Sequence, residues 1–135
     1  KNEDDALFEE WFITWVRTAF RAKGNKKAIN PLLTWSETIA KSGRETQKRF
    51  LEYCQNFFRQ ALLINYNTPE LVYLQPQTSG FDINKFAPFV HENNILQINE
   101  ALQDAMYHIE RNGNPKIILS DLSIKLTRFL HTKSA

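Results

Sequence analysis

The chain has 135 residues, 42% of them hydrophobic and 24% charged, which suits one domain with a sizeable core. Its formal net charge of +2 is too small to mark a nucleic-acid binder by balance alone. No apolar run approaches the roughly 18–20 residues that a membrane-spanning helix needs. Cys54 is the only cysteine, which excludes an internal disulfide framework and fits a reducing cytoplasm. Aromatic residues are abundant at 13%, ten of them Phe, and their large buried area suits a compact core without cross-links. The opening Lys-Asn-Glu-Asp-Asp does not read as a signal peptide, and there is no initiator Met. The chain is therefore expected to be a piece of a larger protein, cut in an acidic linker or at a helix start.

Glu3, Asp4 and Asp5 put negative charge where a helix N-terminus favours it. Phe8, Trp11, Phe12, Trp15, Val16, Ala19 and Phe20 follow at spacings of three and four, predicting a helix that ends between Ala22 and Gly24. Residues 21–27 (RAKGNKK) read as a basic, glycine-containing loop. Asn30 and Pro31 predict a second helix, with Asn30 as N-cap and Pro31 at the first helical position. Leu32, Leu33, Trp35, Ile39 and Ala40 form its apolar side, and Ser42 and Gly43 end it.

Residues 43–65 are predicted as one long amphipathic helix, punctuated by Gly43 at its start and by the run from Asn65 to Pro69 at its end. Phe50, Cys54, Phe57, Phe58 and Ala61 share a face, flanked by Leu51, Tyr53, Leu62 and Ile64. Lys48, Arg49, Glu52, Gln55, Asn56 and Arg59 lie opposite. The apolar arc covers roughly half the circumference, so the helix must be covered on at least two sides. The expected fold class is all-α, a single helical bundle of about five to six helices around this long central helix.

Pro69, Pro76, Ser79 and Gly80 break the pattern over residues 68–82. Within that loop, Leu71, Val72, Tyr73 and Leu74 are expected as an irregular segment laid over the bundle, since no second strand signal exists to pair with them. Asp82 is a candidate N-cap for a short helix holding Ile83, Phe86 and Ala87, with Phe89 and Val90 following Pro88. Asn94 with Gln97 predicts a capping box before a helix whose core face is Ile95, Ile98, Leu102, Ala105, Met106 and Ile109. Gly113 is expected in the left-handed position past that helix, then Asn114 as cap and Pro115 as first residue of the last helix. So short a connection implies antiparallel neighbours. The last helix presents Ile118, Leu119, Leu122, Leu126, Phe129 and Leu130. The chain has no internal repeat and no low-complexity tract.

Chemical signatures are sparse. GxxxxGK(S/T) and GxGxxG are both absent, which excludes nucleotide binding by those devices. His91, His108 and His131 sit in separate segments without a helical ligand pair, so no metal is expected. Glu100, Asp104 and His108 do align at i, i+4 and i+8, but a solvated helix face explains them more simply. Cys54 reads as a small core residue rather than a nucleophile, and Ser36, Ser42 and Ser120 lack a nucleophile-elbow context. One basic group is Arg21, Lys23, Lys26 and Lys27; another is Lys41, Arg44, Lys48 and Arg49. Glu37, Glu45 and Glu52 interleave with the second, so a mixed-charge face or subunit contact fits it better than a phosphate-binding face. No short helix rich in base-reading side chains stands out. Trp11, Trp15, Phe57 and Phe58 read as core; Trp35, Tyr66 and Tyr73 are the candidates for surplus aromatic surface at an interface.

The stretch LLTWSETIAKSGRETQKRFLEYCQNFFRQALL (32–63) resembles the C-terminal region of the DNA polymerase III delta-prime subunit of the Bacteroidetes type. PELVYL (69–74), KFAPFVHENN (85–94) and HIERNGNPKIILSDLSIKL (108–126) follow in the same order, so the resemblance runs from about Trp11 onward and is looser at 24–29 and 75–82. It implies the helical collar domain of a clamp-loader subunit, in a parent protein whose AAA+ module lies N-terminal to this chain. The clamp loader uses ATP to open the sliding clamp and place it on primed DNA, and its collar joins the subunits into a pentamer. The resemblance carries over no catalytic residue and no cofactor, and the expected partners are the other clamp-loader subunits, delta and gamma/tau in type. DNA would be met only through the full complex. Self-association of the isolated collar is a further expectation, and a stand-alone helical DNA-binding domain is the alternative. The candidate subunit interface is the polar face of the long helix, with Arg44, Lys48, Glu52 and Arg59, together with the last helix, Trp35, Tyr66 and Tyr73.

Overall fold

The computed structural model describes residues 4–22, 27, 29–66, 70, 72, 76, 78 and 80–134. Among them are α1 (Asp4–Arg21), α2 (Ile29–Ala40), α3 (Arg44–Asn65), α4 (Ile83–Phe86), a 3-10 turn (Ala87–Phe89), α5 (Ile95–Glu110) and α6 (Pro115–Leu130). The described residues contain no strand, and the molecule is an all-α bundle. No helix among them is long and apolar enough to cross a membrane.

α1 opens with Asp4 and Asp5 and closes with Arg21, so both ends carry charges that complement the peptide dipoles. Phe8, Phe12, Ile13, Trp15, Val16 and Ala19 are buried along it, whereas Phe20, expected in the core, is exposed. α2 starts two residues earlier than the Asn-Pro pair suggests, at Ile29, so Asn30 lies inside the helix and does not cap it. Pro31 still falls in the first turn, where a missing N–H forfeits no intrahelical bond.

Gly43 separates α2 from α3 with φ +91, a conformation that favours glycine. The buried Gln47 reaches back across this turn, its Nε2 donating to the carbonyls of Ile39 and Ala40 at 3.3 and 3.0 Å. It thereby satisfies carbonyls that the end of α2 leaves open. α3 is 22 residues long and buries Phe50, Leu51, Cys54, Phe57, Phe58 and Ala61 against its neighbours. α6 shares the centre with it, packing against α1, α2 and α5.

Small hydroxyl residues set the close approach of α2, α6 and α1. Trp15 Nε1 donates to Ser123 Oγ at 2.8 Å, and Ser36 Oγ lies 3.3 Å from the same oxygen. All three side chains are fully buried, so each polar atom needs its partner inside the core.

Asp82 caps α4 as expected, its Oδ1 accepting from the Asn84 N–H at 2.9 Å. The capping box at Asn94 does not form. Asn94 makes no side-chain cap bond to α5. Its Oδ1 accepts from His91 N, and its Nδ2 donates to the carbonyls of Phe89 and Phe129 at 2.8 and 2.9 Å. This buried amide therefore clamps the 3-10 turn onto the end of α6. Between α5 and α6 the left-handed residue is Asn112, with φ 66, and not Gly113. The Gly113 N–H bonds to His108 O and the Asn112 N–H to Ile109 O, a paired closure in which Asn tolerates the left-handed position. Glycine is required at 113 for space: a Cβ there would stand 2.9 Å from His108 O and 2.8 Å from Ile118 Cδ1. Asn114 caps α6 by accepting from Ile117 N–H, and Pro115 opens the helix.

Candidate interaction surface

Arg44, Lys48, Glu52 and Arg59 follow one another along the outward side of α3, and three of the four are exposed. Lys48 is half-buried and pairs with Glu110 of α5 at 3.4 Å. An exposed pair of this kind holds little energy, on the order of 0–1 kcal/mol, so Lys48 can exchange partners at low cost. Glu52 and Arg59 line a shallow groove between α3 and α5, with Ile95, Asn99 and Gln103 on its far wall. Arg49 faces elsewhere. It pairs with Asp4 and lies over the Phe8 ring, tying the start of α1 to α3.

The aromatic candidates fall in different places. Tyr66 is exposed directly after α3. Trp35 is buried and belongs to the core. It stacks on Trp15 with centroids 4.7 Å apart, and its Nε1 donates to Trp11 O at 3.0 Å. Its spacing with Leu32, Ser36 and Ile39 on the inner side of α2 explains this, and its assignment to a surface is corrected. Tyr73 lies outside the described residues.

A second strip comes from the α5–α6 hairpin. Leu96 and Tyr107 are 64% and 52% exposed, and Ile117 and Ile124 are 67% and 44% exposed. Positions eleven apart on α5 and seven apart on α6 each return to the same side of a helix of 3.6 residues per turn. Both pairs lie opposite the buried stripes, Ile98–Leu102–Ile109 on α5 and Leu119–Ser123–Leu126 on α6. The Arg111 guanidinium sits over the Tyr107 ring, 4.5 Å from its centroid. Reading the inner stripes alone misses these residues; the outward repeats at eleven and seven are the signal that reveals them. On α5 the exposed Glu100 and Gln103 lie between Leu96 and Tyr107, and on α6 the exposed Asp121 lies between Ile117 and Ile124, so the apolar side chains alternate with polar ones.

The residues weighed as candidates for catalysis stand apart from one another among the described residues. Glu100, Asp104 and His108 are all exposed, and no three His, Cys, Asp or Glu side chains converge to share an ion among the described residues. Cys54 is fully buried, and that burial pushes its thiol pKa well up, away from the thiolate that a nucleophile requires. Tyr53, beside it, is also pushed up, first by burial and then by the nearby Glu9. His91 Nδ1 accepts from Asn93 N–H while Nε2 faces Thr132 O at 3.0 Å, which fits a structural ring with its proton on Nε2. Compared with protein-family models, curated proteins and solved structures, the chain has no match.

Proposed function

We propose that this chain is the collar domain of a clamp-loader subunit of the delta-prime type, a cytoplasmic module that binds neighbouring subunits sideways and performs no catalysis itself. The observation that carries the reading is that Leu96 and Tyr107 of α5 and Ile117 and Ile124 of α6 are exposed large apolar side chains on the sides of their helices turned away from the core. Apolar centres bordered by charged rims are the usual make-up of a subunit interface. In a ring of unlike subunits such contacts are heterologous, so two different sides of one domain must each meet a different neighbour. The α3 stripe and the α5–α6 strip provide two such sides. The family resemblance of residues 32–63 and the segments after it supports the same reading. In the parent protein, ATP chemistry would belong to the AAA+ module and DNA would be reached through the assembled ring.

The test is a pull-down with the tagged chain from nuclease-treated lysate of its own source, read by mass spectrometry and repeated with the full-length parent. Recovery of delta- and gamma/tau-type subunits is expected. Ile117→Glu should abolish that recovery, and Lys48→Glu with Arg59→Glu should weaken it. Ring assembly unchanged by both sets of variants would falsify the collar reading. Recovery of DNA alone, before nuclease treatment, would favour the DNA-binding alternative.

A further inference from the structure

Where α1 ends, it forms with α4, the 3-10 turn and the last residues of α6 a cleft of about 350 Å³, within the size range of small-molecule sites. None of its lining residues belongs to the α5–α6 strip or to the charged side of α3. The inner lining is apolar, with Val16, Phe86 and Leu130 buried. Two rings at the mouth remain open to solvent: Phe20 and Phe89, 42% and 37% exposed, meet edge to face at 4.7 Å. His131 stacks on the other side of Phe20, also at 4.7 Å, so the ring is held in place although solvent reaches it.

The charged groups of the lining are all exposed and therefore form its rim: Arg17, Arg21 and Lys85 against one carboxylate, Asp82. Asp82 is occupied as a cap, its Oδ1 accepting from both the backbone and the side-chain amide of Asn84. Arg17 is fixed, with Nη2 donating to Gly80 O at 2.9 Å and its guanidinium 5.6 Å from the Phe81 ring centre. Arg21 and Lys85 make no ion pair among the described residues. The cleft thus combines an apolar interior with a positive rim in which Arg21 and Lys85 have no ion-pair partner among the described residues.

We propose that this cleft binds a small amphipathic carboxylate, with its apolar body against Phe20, Phe89 and Leu130 and its head on Arg21 and Lys85. A cation is repelled by the rim. A neutral apolar molecule gains the interior contacts but leaves the rim charges unused. A ligand carrying several charges along its length would have to bury them against Val16 and Phe86.

Sodium decanoate below its micellar concentration is the probe, titrated into the 135-residue chain by calorimetry and followed by the ring proton resonances of Phe20 and Phe89. Saturable one-to-one binding is expected, with decan-1-ol and decyltrimethylammonium at least about tenfold weaker. Arg21→Glu and Lys85→Glu should each weaken decanoate about tenfold, whereas Arg44→Glu, the same charge change on α3, should leave it unaltered. All three positions are exposed, and unchanged thermal unfolding midpoints confirm that the fold is kept. Phe89→Ala should weaken decanoate and decan-1-ol alike. Equal affinity for decanoate and decan-1-ol overturns the proposal. So does an Arg44→Glu effect as large as that of Lys85→Glu, or adhesion to phosphatidylglycerol vesicles without saturable decanoate binding.

Discussion

Around α1 and α3 the core is built from rings. Phe12 alone meets Phe57 at 4.1 Å, Phe58 at 5.2 Å and Phe86 at 6.0 Å, and the stacked Trp15–Trp35 pair lies beside them. Across α5 and α6 the core is aliphatic, with Ile98, Leu102, Ile109, Leu119, Leu122 and Leu126. The aromatic half is directional: rings prefer particular offsets and tilts, and buried indole N–H groups demand acceptors, met here by Ser123 and the Trp11 carbonyl. The aliphatic half has no polar tips and no preferred angles, so it tolerates exchange among similar volumes. Its outer side carries Leu96, Tyr107, Ile117 and Ile124 among exposed charged side chains. The difference divides the core, with the rings specifying one arrangement and the aliphatic hairpin leaving more freedom of packing.

The comparison is broken most severely at its densest point. Phe12→Ala should cost about 3–5 kcal/mol by denaturant unfolding, while Leu102→Met in the aliphatic half should cost less than about 1.5 kcal/mol. Equal costs would mean that the two halves are packed alike. Next in size is Asn94→Ala at the seam, where loss of the amide leaves the buried His91 N and two part-buried carbonyls without their bonds. About 2–3 kcal/mol is expected, with hydrogen exchange quickening first in the 3-10 turn and at the end of α6. Smallest should be Leu96→Ser and Ile117→Ser. Each should change stability by no more than about 0.5 kcal/mol, since both side chains are mostly in water, yet both should lower subunit recovery. A large stability loss at either position would reassign the outward strip to the core.

Much of this was legible in the residues. The inner stripes of α1, α3, α5 and α6 recur at three and four, and burial of an apolar face is a local consequence of that period. Asp82 and Asn114 announced their helices because an N-cap acts within three residues of itself. The outward strip was less legible because Leu, Ile and Tyr read as core wherever they occur, and only the wheel position relative to the inner stripe separates them. Trp35 is placed by partners about twenty residues away, Trp11 and Trp15, and Asn94 turns from its own helix to His91 and Phe89 behind it and to Phe129 far along the chain, so bonds outside the helix displaced the local role.

The sequence by itself determined an all-helical chain, the extent of its long amphipathic helix, the antiparallel hairpin at 111–114 and a cysteine in the core. These depend on interactions within a turn or two of the chain. Tertiary structure alone decided that Asn94 would clamp a distant helix end, that Trp35 would stack on Trp15, and that Gly113 serves for space while Asn112 takes the left-handed conformation. It also decided that Arg17, Arg21 and Lys85 would ring an apolar cleft with two exposed phenyl rings. Those outcomes depend on which helices meet and at what distance, and that is set by how a whole set of side chains fills one shared volume.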